Sequence, residues 1–334
     1  MTDRTYLDWN ATAPLRAEAR DAMLAAMGLV GNPSSVHGEG RTARGLVERA
    51  RAQVALAVGC KPQEVVFTSG ATEAAMVLAQ FPAVEVDPTA HDCVFVHHRP
   101  GEGHIRALGV ANNETGIVSD DAGDLLDVAQ VIGRVPFAFG WTDAKLAILS
   151  GHKFGAPKGV GALIVREGQD VSPWIKGGGQ EMSRRSGTEN IIGIAGLGAA
   201  AEAAQRDLEA GVWDKVAALR DAFEAKIQAL APDVQIAGQG MKRLPNTSCL
   251  ISPGWKGETQ VMAMDLAGFA VSAGSACSSG KVRPSRVLKV MGYDDDAARS
   301  AIRVSIGPTT RDEDLMRFAE VWAAARSRAL ARAA

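Results

Sequence analysis

The feature that most constrains the fold is an alternation of short, strongly apolar runs with longer stretches of helical spacing. Glu64–Thr68 (EVVFT) predicts a strand, and Ser69-Gly70-Ala71-Thr72-Glu73 then opens a helical run that reaches Gln80. Val160–Val165 (VGALIV) predicts a second, fully buried strand. Residues 191–230 are Ala-rich with helical spacing, long enough for two helices or one bent one. Ala301–Ile306 reads as a strand, and Asp312–Leu330 as an amphipathic helix whose acidic first turn suits a helix N-terminus. Parallel strands need a crossover, and a helix supplies it, so this alternation predicts an α/β fold around a mostly parallel sheet. Residues 83–109, rich in His, Pro and Gly, follow neither period.

At 334 residues the chain can build one large core or two unequal domains. Its 36 basic and 38 acidic residues nearly cancel, which removes the electrostatic case for nucleic acid or an anionic membrane. The most basic stretch, 41–51, carries Glu48 and alternates with Ala, Leu and Val, as a solvated helix face does. There is no apolar run of the roughly 20 residues that a membrane span needs. Cys60, Cys93, Cys249 and Cys277 are scattered with no C-x-x-C pair, which argues against a zinc site or a disulfide scaffold and for a reducing cytoplasm.

Five constellations carry candidate chemistry. Lys153 lies in Ser150-Gly151-His152-Lys153-Phe154-Gly155, among small residues unlike those around a surface lysine. Such a setting lets a lysine approach a planar carbonyl compound closely and form a Schiff base, although a solvated lysine in a turn has the same spacing. Small residues and hydroxyls at 68–73 would expose backbone N–H groups at a helix N-terminus, as a phosphate cradle or as plain N-caps. Asp127 and Gln130 set an acid and an amide three residues apart. Cys277 sits in Ser272-Ala273-Gly274-Ser275-Ala276-Cys277-Ser278-Ser279-Gly280, where access and freedom suit a nucleophilic thiol; the other three cysteines have apolar settings that suit packing. Arg303 is alone in an apolar strand, and its partner is either a substrate carboxylate or an internal acid.

Together the motifs resemble the cysteine desulfurase family, within the fold-type I pyridoxal-phosphate (PLP) enzymes also called class V aminotransferases. The matching stretches are Tyr6-Leu7-Asp8-Trp9-Asn10-Ala11-Thr12-Ala13-Pro14, Gly31-Asn32-Pro33-Ser34-Ser35-Val36-His37, Phe67-Thr68-Ser69-Gly70-Ala71-Thr72-Glu73, Ala111-Asn112-Asn113-Glu114-Thr115-Gly116, Ser150-Gly151-His152-Lys153, Arg185-Ser186-Gly187-Thr188 and the Cys277 loop ending Pro284-Ser285. The resemblance implies a seven-stranded-type, mostly parallel sheet in a large domain (15–240). It implies a small α+β domain (1–14 and 241–334) that carries Cys277 and Arg303. Lys153 would hold PLP, Asp127 would face its pyridine nitrogen and Gln130 its phenolic oxygen. Ala71, Thr72, Ser150 and His152 would cradle the phosphate, and Thr188 would reach the phosphate of a second subunit in a homodimer. Asn10, Asn113 and Arg303 would contact the substrate L-cysteine. Cys277 would take its sulfur as a persulfide, for iron–sulfur assembly or thiolation through an acceptor protein.

Two stretches are shorter than the family pattern. About twenty residues separate His91 from Asn112, and 14 positions separate Asn113 from Asp127. His91, in Thr89-Ala90-His91-Asp92, is the expected ring-stacking and proton-shuttling histidine, with His97 and His98 as alternatives. Selenocysteine lyase, another class V reaction, or a weakly active or non-catalytic assembly subunit are the competing readings. Cys277 speaks against a transaminase, and the complete residue set against a subunit without chemistry.

Overall fold

The computed structural model describes residues 4–274 and 284–333. The chain divides into two compact units, Thr12–Val110 with Asp120–Ala210, and Met1–Ala11 with Ala111–Ser119 and Gly211–Ala334.

The first unit is built on a sheet of six strands in the order Val65–Thr68, Gly161–Val165, Leu146–Ser150, Leu125–Asp127, Ile105–Gly109, Val84–Val86. The last four run parallel, and Gly161–Val165 alone is antiparallel to both neighbours, so the expected mostly parallel sheet is present. It has six strands among the described residues, one fewer than the seven-stranded type. The central strands Leu146–Ser150 and Gly161–Val165 are buried at every position, which is why they read as unbroken apolar runs. Helices Ala17–Met27 and Gly38–Val58 pack against the Ala- and Gly-rich helix Ile191–Glu209. The unassigned stretch 83–109 resolves into strand Val84–Val86, a single helical turn at Asp92–Phe95 and strand Ile105–Gly109.

Arg51 departs from the expected solvated face. Its guanidinium is buried and binds Glu181 bidentately, Nη1 to Oε2 at 2.8 Å and Nη2 to Oε1 at 3.0 Å. Glu181 also accepts the Phe67 N–H at 2.9 Å. It begins a turn in which Glu181, Met182 and Ser183 all have positive φ, at 49°, 57° and 63°.

In the second unit an antiparallel sheet runs in the order Ser272–Ala273, Ala301–Ser305, Thr247–Ile251, Gln235–Ile236. Thr5–Tyr6 pairs in parallel with Phe269–Ala270. Helix Val212–Leu230 packs on helix Asp312–Ala333, with Phe223, Phe269, Phe318 and Trp322 fully buried. That packing places residues 211–240 in the same compact unit as the C-terminal segment, whereas the resemblance implies a large domain over 15–240. The Ala-rich stretch is two helices, Ile191–Glu209 and Val212–Leu230, parted at the same point.

Candidate active site

In the first unit the candidate residues lie where strands end. Leu125–Asp127 finishes at Asp127, whose Oδ1 accepts the Ala129 N–H at 3.0 Å. Burial raises its carboxyl above the ordinary aspartate range, against the pull of that N–H and of the charges of His91 and Lys153. Strand Leu146–Ser150 leads directly into the tight turn Gly151–Lys153. Strand Val65–Thr68 leads to Gly70 (φ 155°) and the short helix Ala71–Ala74. A Cβ on Gly161 would lie 2.7 Å from Gly70 Cα and 2.4 Å from the Leu149 carbonyl oxygen, so the strands meet there only as bare backbone. The Ser150 hydroxyl lies 3.5 Å from where a Cβ on Gly70 would be. The turn at 68–73 is closed by the Ser69 N–H, which donates to Glu73 at 2.8 Å. Glu73 also pairs with Arg185 at 3.0 Å, which ties the 68–73 and 185–188 motifs together. Burial works to raise the Glu73 carboxyl, but Arg185 and Ser69 outweigh it and hold it low. Thr188 is exposed in the following loop.

His152 Nδ1 is buried and has no hydrogen-bond partner among the described residues. Burial, then the charges of Lys153 and Lys158, push its pKa down to about 4, so the ring is neutral at physiological pH. His91 caps the Asp92–Phe95 turn. Its Nδ1 accepts the Cys93 N–H at 3.2 Å and lies 3.1 Å from Cys93 Sγ, which puts the ring proton of the neutral form on Nε2. His98 stacks on Phe95 and accepts the Val86 N–H, a packing role, and Asp127 senses His91. Of the three histidines, the observations therefore associate His91 with Asp127.

Two residues here escaped the sequence reading. Cys93, expected to be mere packing, hydrogen-bonds Thr72 and touches His91; burial and then the Asp127 charge push its thiol up to about 12. Its signal was the position two residues after His91. Arg134 is buried and donates to Gln130 Oε1 at 2.6 Å and to the Lys153 carbonyl at 2.7 Å. Its signal was the four-residue step from Gln130.

In the second unit the strand Ala301–Ser305 buries Arg303. Nη2 pairs with Asp8 Oδ1 at 2.7 Å and Nη1 donates to the Asn113 carbonyl at 3.1 Å, while Nε is buried with no partner among the described residues. The internal acid that sequence left as one alternative is thus present, and one guanidinium edge still carries an unmatched donor. Asp8 is steadied by Ser272, whose hydroxyl donates to Oδ2 at 2.8 Å. Asn10 is buried, donating to Asn113 O and Thr247 Oγ1 and accepting from Asn246. With both ends of its amide engaged, it supports Asn113. Glu114 Oε2 accepts from Ser285 Oγ at 2.5 Å. Cys277 lies outside the described residues.

The first unit thus holds a Lys-bearing turn, a buried acid and a bare-backbone crossing, and the second unit holds a buried arginine with an unmatched donor. The chain belongs to the class-V aminotransferase family, which it matches over residues 5–98 and 106–318. Within that family it is cysteine desulfurase-like. It is 38% identical to a cysteine desulfurase of Cereibacter sphaeroides, covering 96% of this chain and 95% of that protein. It is 34% identical to cysteine desulfurase IscS of Dictyoglomus turgidum, covering 94% and 92%. The first of these alignments spans 371 positions against 334 residues here, so the relative carries segments that this chain lacks. A NifS-like protein from Rickettsia africae superposes with a TM-score of 0.86 at 28% identity, covering 95% of this chain and 98% of that one. No helix among the described residues is long and apolar enough to cross a membrane.

Proposed function

We propose that this chain is a PLP-dependent cysteine desulfurase that converts L-cysteine to L-alanine and holds the sulfur as a persulfide on Cys277. The observation that carries the cofactor assignment is the first unit's cluster of unmet polar needs. His152 Nδ1 lacks a partner among the described residues, and burial raises the Asp127 carboxyl, a cost that a facing cation would offset. A phosphate and a pyridinium would meet both needs.

When bound, PLP supplies an electron sink for negative charge at the substrate Cα. Asp127 would face the ring nitrogen and favour its protonated form, and Gln130 would donate to the phenolic oxygen. Ala71, Thr72, Ser150 and His152 hold the phosphate, with Thr188 serving the phosphate of a partner subunit in a homodimer. His91 would lie against the ring, with its Nε2–H free to donate. Arg303 takes the substrate carboxylate through its unmatched Nε edge, beside Asn113. The Lys153 amine removes the Cα proton and later returns a proton to the alanine product. The Cys277 thiolate attacks the substrate sulfur; the Cβ–S bond breaks with its electron pair left on the substrate, where Cβ gains the proton that the thiol gave up, an S–S bond forms, and Cys277–S–SH remains. An acceptor protein then takes the sulfur for iron–sulfur assembly or thiolation, in the cytoplasm.

The test is an absorbance spectrum of PLP-loaded protein followed by an assay of alanine and sulfide from L-cysteine. Lys153→Ala should lose the covalent cofactor's visible band. Cys277→Ala should keep that band and lose turnover. A colourless protein that takes up no PLP, or full turnover by Cys277→Ala, refutes the proposal.

A further inference from the structure

Gln130 can serve a phenolic oxygen only if its amide presents nitrogen, yet an amide has two nearly isosteric ends. Arg134 decides which end is presented. A guanidinium carries donors and no acceptor, so the group 2.6 Å from its Nη1 has to be the amide oxygen. Flipping the amide would set donor against donor inside the protein, where an unmet polar group is costly. The same guanidinium donates through Nη2 to the Lys153 carbonyl at 2.7 Å, so it fixes the backbone that carries the lysine. Arg134 itself is only 2% exposed.

The local chain explains how it gets there. After Asp127 the backbone turns, with Ile132 N–H donating to Val128 O and Arg134 N–H to Val131 O. Gly133 has φ 69°, and a Cβ on it would lie 2.5 Å from Ala204 Cβ on the helix Ile191–Glu209. The left-handed step against that helix sends Arg134 back toward Gln130 and the Lys153 turn.

From this geometry we infer that Arg134 is a positioning residue. It orients the Gln130 amide nitrogen toward the cofactor's phenolic oxygen and holds the backbone at Lys153. The inference rests on the proposed role of Gln130.

The readout is the pH midpoint of the visible absorbance band of PLP-loaded protein, measured without substrate. A donor on the phenolic oxygen favours its anion and lowers that midpoint, so losing the donor raises it. Gln130→Ala is expected to raise the midpoint by about one unit, and Arg134→Met by about half a unit or more. The double variant should rise no further than Gln130→Ala, because both changes remove one interaction. Arg134→Lys, which keeps a single cationic donor, should fall between the wild type and Arg134→Met, and it serves if Arg134→Met does not fold. An unmoved midpoint in Arg134→Met or Arg134→Lys, with Gln130→Ala shifted, overturns the inference. So does a double variant whose shift equals the sum of the two. If Gln130→Ala moves nothing, the assignment of Gln130 falls, and this inference with it.

Discussion

Replacing Arg51 with Met should destabilise the protein by about 4 kcal/mol, because it strands a buried carboxylate. The Glu181 side chain is 2% exposed and would retain only the Phe67 N–H of the partners described. Breaking a buried pair from one side costs about 3–5 kcal/mol. The Val65 carbonyl, which accepts from Nη1 at 2.7 Å, would also lose its donor. Arg51 further lies over the Phe67 ring, 4.7 Å from its centroid, and the Met side chain recovers part of that packing. The pair also supports an unfavourable backbone. Three successive left-handed residues that are not glycine cost roughly 1–2 kcal/mol each, and the Glu181 side chain is the anchor at their start. Urea denaturation of wild type, Arg51→Met, Glu181→Gln and the double variant gives the coupling. The double variant should be less unstable than the sum of the singles by about 3 kcal/mol, since the neutral amide can still accept from Phe67. A loosened turn should also open trypsin cleavage at Arg184, just beyond it. A cost under about 1 kcal/mol for Arg51→Met, or simple additivity, refutes the reasoning.

Asp8→Asn should tighten carboxylate ligands selectively. Removing the anion 2.7 Å from Arg303 leaves the guanidinium charge for the ligand, so inhibition by L-alanine should strengthen on the order of tenfold. An amine lacking a carboxylate should bind unchanged, and equal effects on both ligands would count against Arg303 as the carboxylate site. Burial pushes the thiols of Cys60, Cys93 and Cys249 up to about 12, so iodoacetamide at neutral pH should label them slowly. Cys277→Ala should then remove nearly all rapid labelling as counted by mass spectrometry. His152 has a folded pKa of about 4, below its ordinary 6.5, so between those values the unfolded chain binds more protons. PLP-free protein should therefore lose stability as pH falls through that window, and His152→Gln should flatten the loss in a series of thermal melts.

The sequence carries the sheet's interior plainly, because strands buried on both faces have to be apolar throughout, as Val160–Val165 is. Residues 83–109 were opaque because their elements are short: a three-residue strand and one helical turn leave no room for a period to repeat. The division at residue 211 depends on which helix Val212–Leu230 packs against, and helical spacing cannot say that. Lys153 and Arg303 stand out because each is out of character with its neighbours, whereas Asp127 is bland by itself and is singled out only by the resemblance. Arg51 and Arg134 do not stand out, since an arginine on a helix or after a turn reads as solvated until its distant partner is known. Glu181 is 130 residues from Arg51, and Lys153 is 19 from Arg134.

The crossing of Gly161 and Gly70 has a consequence for how this protein can vary. The space beside Gly161 is filled by the backbone of Leu149 and Gly70, so a methyl group there cannot be relieved by trimming a neighbouring side chain. Compensating second-site substitutions, the usual route by which a tight core drifts, are therefore closed at this point. A saturation library scored for folded protein should tolerate glycine alone at 161, whatever else is allowed to change around it.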